Sequence, residues 1–174
     1  MRQSPVRSRW LAFAGLALAV VIGDQLTKAW ISANLAPGQG VAIFGDVLRF
    51  VHAQNRGGIF GLFGDSAMVL AAASTVVIGV ILVYMAREGT RGHWLLSVAL
   101  GLLIGGAVGN LIDRLLYGYV IDWVDAGVGE LRWYTFNVAD SAITVALALL
   151  VGMALLGERL LKPAPASGRT SLQP

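Results

Sequence analysis

The chain has 174 residues, 56% of them hydrophobic and 13% charged, with a net charge of +3 and no cysteine. Soluble domains average about 25% charged residues. The composition excludes a disordered chain, which is poor in apolar residues, and any disulfide or thiolate-metal scaffold, which needs cysteine; it also argues against a soluble single domain, which could not hide so much apolar surface.

A membrane helix needs about 20 mostly apolar residues, and the first such stretch runs from about 10 to 33. It carries Asp24, Gln25 and Lys28. Residues 1–23 also have the Arg-rich start and apolar middle of a secretory signal. However, no convincing small-residue cleavage site precedes the polar cluster, so a retained helix is expected. Asp24 and Lys28 stand at i and i+4, on one helix face. They read either as an ion pair that eases insertion or as a brace for a polar site. The next segment, 34–66, is too long for a simple connection. Its β-prone runs at 41–44 and 47–51 flank Gly45-Asp46, which predicts a small hairpin or sheet lying on the membrane surface. Asn55-Arg56-Gly57-Gly58-Ile59-Phe60-Gly61 follows, by itself a loop signal.

The second and third spans are 67–85 and 94–112. Gly101, Gly105 and Gly109, four apart, form a small-residue stripe suited to close helix packing. Asn110, Asp113 and Arg114 share one face, as a functional cluster or as a polar helix end. The segment 115–135 reads as a second loop, with Trp123, Trp133 and Tyr134 suited to the headgroup level. Within it Asp122 sits between bulky apolar neighbours and alone reads as an exposed acid. The fourth span, 137–156, opens on Phe136-Asn137-Val138-Ala139-Asp140-Ser141; Asn137 and Asp140 also suit a helix start. The tail at 163–174 is proline-rich and expected to be disordered and cytoplasmic. No internal repeat of useful length appears, which argues against common transporter folds.

The dispersed basic residues, with pI near 9.7, favour membrane topology over nucleic-acid binding. Arg2, Arg7, Arg9, Arg87, Arg91, Arg159, Lys162 and Arg169 make eight of 13 on one side, so both termini read as cytoplasmic. Of the ten acids only Glu88 and Glu158 fall inside. Asp24, Asp113 and Asp140 meet at one level near the outer surface. Roughly 2.5–3.5 kcal/mol is the cost of inserting a charge at mid-membrane, which makes a functional reading the default.

The types of residue at that level limit the chemistry. There is no thiol nucleophile, His52 and His93 fall on opposite sides, and neither Ser66 nor Ser141 has a neighbouring histidine in sequence. Aspartates are the plausible general acids and bases. Two carboxylates held close cannot both ionise, so one can accept a proton from water while the other donates to a carbonyl oxygen, as in aspartic proteases. A proton-coupled relay through Asp24, Asp113 and Asp140 and a non-catalytic assembly role for the ion pairs are the competing readings.

The chain resembles the lipoprotein signal peptidase (signal peptidase II) family. The resemblance is carried, in order over about residues 10–160, by Asp24-Gln25-x-Thr27-Lys28, Asn55-x-Gly57-x-x-Phe60, Gly109-Asn110-x-x-Asp113-Arg114, Val120-x-Asp122-Trp123 and Phe136-Asn137-x-Ala139-Asp140-Ser141. Gly58-Ile59 and Trp123 depart slightly from the family pattern. The resemblance implies an all-α membrane protein with four transmembrane helices, a small extracytoplasmic β-sheet or cradle and a second extracytoplasmic loop. It implies one peptidase domain over 1–162 in the bacterial inner membrane, acting near the periplasmic face. The implied activity is aspartic endopeptidase cleavage of a diacylglyceryl-modified prolipoprotein just before its lipidated Cys, with no cofactor or metal and no nucleic acid. The enzyme would be a monomer in contact with membrane lipid and a target of globomycin-type inhibitors. By carry-over Asp122 and Asp140 are the catalytic pair. Asp24, Lys28, Asn55, Gly57, Gly109, Asn110, Asp113, Arg114, Asn137 and Ala139 are supporting or substrate-facing positions.

Overall fold

The computed structural model describes residues 5–57, 66–88 and 94–160. Gly58, Ile59, Phe60, His93 and the tail at 163–174 lie outside the described residues. The elements in order are α1 (Pro5–Asn34), β1 (Gly40–Phe44), β2 (Leu48–Asn55), α2 (Ala67–Glu88), α3 (Trp94–Tyr117), β3 (Val120–Val128), β4 (Leu131–Arg132) and α4 (Val138–Leu160). All four helices are long and apolar enough to cross a membrane.

α3 is the central helix, packed against α1, α4 and α2. Its glycine stripe is the cause. A Cβ at Gly101 would lie 2.7 Å from the Phe13 carbonyl oxygen, and one at Gly105 would lie 2.7 Å from Val20 Cβ. Only hydrogen at these positions lets the two backbones approach, which is how small residues drive association where lipid competes with every apolar contact. At the end of the bundle holding the start of α1, Phe13, Ile81, Met85, Leu100 and Ile104 form an apolar core. The outer faces keep their apolar side chains outward, with Leu18 61% and Leu155 77% exposed, as helices bathed in hydrocarbon require.

The opposite end of the bundle carries a four-stranded antiparallel sheet in the order β1-β2-β3-β4. The hairpin expected around Gly45-Asp46 is β1–β2. The second loop differs from its expectation, since residues 120–128 form β3 and pair with β2 from Leu48↔Ala126 to Asn55↔Val120. Phe50 faces Val124 while Ala53 faces Asp122, so β2 holds one extra residue there. Such a bulge re-aims side chains; here it falls beside Asp122. The third helix also runs past its expected end at 112. Asp113 finds partners on α1 and β3, and the helix closes only at Gly118, whose N–H bonds the Arg114 carbonyl and whose φ is +75°.

Candidate active site

The site lies where the sheet meets the ends of α1 and α3 and the start of α4. α1 contributes Asp24 and Lys28, both fully buried. Lys28 Nζ lies 2.7 Å from Asp24 Oδ2 and 2.9 Å from Asp113 Oδ2, and donates to Asn110 Oδ1 at 3.0 Å. A buried ammonium is tolerated only when its protons find acceptors, and all three of these acceptors come from α1 and α3. The two acids also hold other elements. Asp24 Oδ1 accepts from the Ala139 N–H at 3.0 Å, fixing the start of α4. Asp113 Oδ2 accepts from the Ile121 N–H at 3.0 Å, fixing β3 one residue before Asp122. Gln25 Nε2 reaches Asp113 Oδ1 at 3.0 Å and the Gly109 carbonyl at 3.2 Å. Gly109 makes room for this, since a Cβ there would lie 2.7 Å from Asp24 Oδ2.

Beside this ion cluster stand Asp122 and Asp140, whose hydrogen bonds come from asparagines. Asp122 on β3 is fully buried; Asn55 Nδ2 donates to its Oδ2 at 2.9 Å and Asn137 Nδ2 to its Oδ1 at 2.7 Å. Asp140, in the first turn of α4, accepts from Asn110 Nδ2 at 2.7 Å. Asn137 and Asp140 also form a reciprocal cap. The Asp140 N–H donates to Asn137 Oδ1 at 2.9 Å, and the Asn137 N–H to Asp140 Oδ2 at 3.3 Å. Asn137 Nδ2 further reaches Asn110 Oδ1 at 3.1 Å. Asn137 is thus a helix cap and the bridge between the carboxylates at once. Burial first, then the neighbouring Asp140 charge, pushes Asp122 up to about 7.

The other expected residues converge here too. Gly57 N–H donates to Asn55 Oδ1 at 3.2 Å, closing the turn that aims Asn55. Arg114 is buried, donates from Nη1 to the Asn110 carbonyl at 3.3 Å, and keeps Nε without a partner. His52 is buried away from the acids' hydrogen bonds, its Nδ1 2.8 Å from the Leu35 carbonyl. No cluster of His, Cys, Asp and Glu suited to a metal occurs among the described residues.

Two parts of the site were not expected from sequence. The first is the set of ion pairs on the other face of β3. Asp125 lies three positions after Asp122 and so faces the opposite side of the strand. Arg49 Nη2 and Arg132 Nε each lie 2.6 Å from its carboxylate. Burial opposes its ionisation, but the two arginines outweigh that and hold it below the usual carboxylate range. The second is a groove of about 1120 Å³ opening beside Asp140, Asn55 and Arg114. Its walls are apolar, with Leu70 and Val77 from α2, Leu103 from α3 and Leu147 from α4. Asp140 therefore sits at the polar end of an apolar slot between helices, with the buried Asp122 held behind Asn55, which also lines the slot.

The family model for Signal peptidase (SPase) II matches residues 16–156. The lipoprotein signal peptidase of Caulobacter vibrioides is 42% identical over 163 residues, covering 89% of this chain and 92% of that protein. The one from Halothermothrix orenii is 35% identical over 136 residues, covering 78% and 90%. Two solved bacterial membrane enzymes share the fold. One has a TM-score of 0.75 at 26% identity, covering 88% of this chain and 92% of that one. The other has 0.70 at 29% identity, covering 81% and 90%. A family model matched over residues 16–156 and relatives at these identities show that the chain belongs to the signal peptidase II family.

Proposed function

We propose that this chain is an aspartic endopeptidase that removes signal peptides from diacylglyceryl-modified prolipoproteins, cutting just before the lipidated Cys. The observation that carries the reading is the pairing, through Asn137, of the buried Asp122 with Asp140, which lines the end of an apolar groove. A lipid-bearing precursor needs such a slot, open to hydrocarbon on one side and polar at the scissile bond.

In the working state the pair holds one proton. Water attacks the scissile carbonyl carbon. The ionised carboxylate takes the water's proton, and the protonated one donates to the carbonyl oxygen. The tetrahedral intermediate then collapses: the C–N bond breaks as the first acid gives its proton to the leaving amine, and the second carboxylate takes back the hydroxyl proton as the carbonyl re-forms. Asn55, Asn110 and Asn137 hold both acids in place so that little reorganises during the reaction. A relay through the membrane would need a polar path to the far end of the bundle, and that end is held by Phe13, Ile81, Met85, Leu100 and Ile104.

The enzyme is placed in the bacterial inner membrane, with both termini cytoplasmic and the acids near the periplasmic face, where a translocated signal peptide ends. Monomeric action, and blockage of the groove by globomycin-type cyclic peptides, belong to the same reading. To test it, the purified chain is incubated with a synthetic precursor peptide carrying diacylglycerol on its Cys, and the products are weighed by mass spectrometry. The expected product begins at the lipidated Cys. A cut elsewhere, or equal cutting of the unlipidated peptide, contradicts the proposal.

A further inference from the structure

The two acids are not equivalent. Asp140 lines the groove, whereas Asp122 is fully buried. Their donors differ as well. Asp122 accepts from Nδ2 of Asn55 and of Asn137, both neutral amides. Asp140 accepts from Asn110 Nδ2 at 2.7 Å, and that amide cannot turn over. Its Oδ1 receives Lys28 Nζ at 3.0 Å and Asn137 Nδ2 at 3.1 Å. An ammonium has protons to give and no lone pair, so only the oxygen of Asn110 can face Lys28 and its NH2 must face Asp140. The cation also polarises the amide towards its oxygen, which strengthens donation from the other end. The backbone widens the difference. Asp140 stands in the first turn of α4, where the helix dipole favours negative charge, and the Asn137 N–H donates to its Oδ2 at 3.3 Å. Asp122 lies on a strand, whose net dipole is small.

We propose that Asn110, locked by Lys28, is a positioning residue that holds the pair's negative charge on Asp140, which makes Asp140 the base towards water and Asp122 the acid towards the scissile carbonyl. The inference rests on the aspartic reading above and assigns the roles within it. Water arriving through the groove meets the ionised acid, and the proton is kept on the acid shielded from solvent. The rise of Asp122 to about 7, caused by burial and then by the Asp140 charge, agrees with this. Asp140 gains a proton from water as Asp122 gives its own to the carbonyl oxygen. On collapse Asp140 passes its proton to the leaving amine and Asp122 recovers one from the hydroxyl, so the pair ends as it began.

Asn110 donates to Asp140 and Asn55 to Asp122, so their variants separate the two roles. The other charged or titratable groups around the pair are common to both variants: Asp24 and Lys28 of α1, Asp113 and Arg114 of α3, and Tyr134. Full-length Asn110→Ala and Asn55→Ala, in lipid nanodiscs, are assayed on the lipidated precursor peptide across about pH 4 to 10. The profile of kcat/KM is followed, because its limbs belong to the free enzyme. Removing a donor to a carboxylate destabilises its charged form. Asn110→Ala is expected to move the acid limb up by about 1 pH unit and leave the alkaline limb in place. Asn55→Ala is expected to move the alkaline limb up from about 7 by a similar amount and leave the acid limb in place. The exchanged pattern overturns the proposal, and so does an activity loss equal at every pH with neither limb moved. If Asn110→Ala does not melt cooperatively, Asn55→Ala decides alone, since it spares the bonds of Lys28. Activity surviving in Asp122→Asn instead overturns the aspartic reading, so the two failures are distinguishable.

Discussion

Asp122 and Lys28 show how burial sets both chemistry and stability at single residues. Asp122 holds a proton up to about pH 7 because burial, then Asp140, disfavours its charge. In the proposed mechanism the pair needs that proton, so kcat is expected to fall as pH rises through about 7. A pH–rate profile of the nanodisc-embedded enzyme checks this; full activity at pH 9 would contradict it. The same group links stability to pH. Its folded value is raised above 3.8, so its contribution is fully present below about 3.8 and is lost as pH rises towards about 7. The melting midpoint of Asp122→Asn is therefore expected to vary less between pH 4 and 7 than that of the parent. Lys28 lies within 3 Å of acceptors on Asp24, Asp113 and Asn110. Lys28→Ala leaves two acids buried without their cation, an effect of about 3–5 kcal/mol. Loss of stability is expected to exceed loss of chemistry in any fraction that remains folded. An unchanged melting midpoint with abolished turnover would give Lys28 a chemical role instead.

At the scale of elements, α1 and α3 meet through glycine, and the strands of the sheet are tied to one another by the pairs of Asp125 with Arg49 and Arg132. A Cβ at Gly105 would lie 2.7 Å from Val20 Cβ and 2.8 Å from the Ala17 carbonyl oxygen. Neither is the far end of a flexible side chain, so Gly105→Ala forces the helices apart. The expected cost is about 1–3 kcal/mol, measured as a lowered thermal midpoint; a neutral result would mean the helices separate without loss. The four helices were legible in the sequence because length and hydropathy suffice to identify them. The β1–β2 hairpin was legible because β-prone runs flank Gly45-Asp46. Strand β3 was not, because Asp122 and Asp125 interrupt its apolar run at a spacing that fits no clean alternation. Each acid is satisfied by different residues, Asp122 by Asn137 at the cap of α4 and Asn55 at the end of β2, Asp125 by Arg49 and Arg132. Partners 67 or more residues away in the chain, such as Asn55 for Asp122, leave no local signal. The extra turn of α3 was hidden for the same reason: Asp113 and Arg114 look like a helix end until their buried partners are known.

For the molecule as a whole, the site is one polar end of an otherwise apolar bundle. Asp24, Lys28, Asn110, Asp113, Asn137 and Asp140 come from three helices, yet their hydrogen bonds form a single connected set. Residue types and order pointed to these positions. They did not foretell that Asn137 would bridge the acids while capping α4, because a cap needs only local residues and the bridge needs the whole fold. The excess of Lys and Arg near the termini and the 86–93 loop predicts that a reporter fused after Pro174 reads cytoplasmic; a periplasmic signal would invert the orientation. The central claim, that Asp122 and Asp140 jointly activate water, has a direct test. Asp122→Asn and Asp140→Asn are each expressed, shown to insert and to melt cooperatively, and assayed on a lipidated prolipoprotein. The account predicts at least about a 1000-fold loss of cleavage in each, as expected when one member of a catalytic pair is removed. Near-parental cleavage by either variant would contradict it.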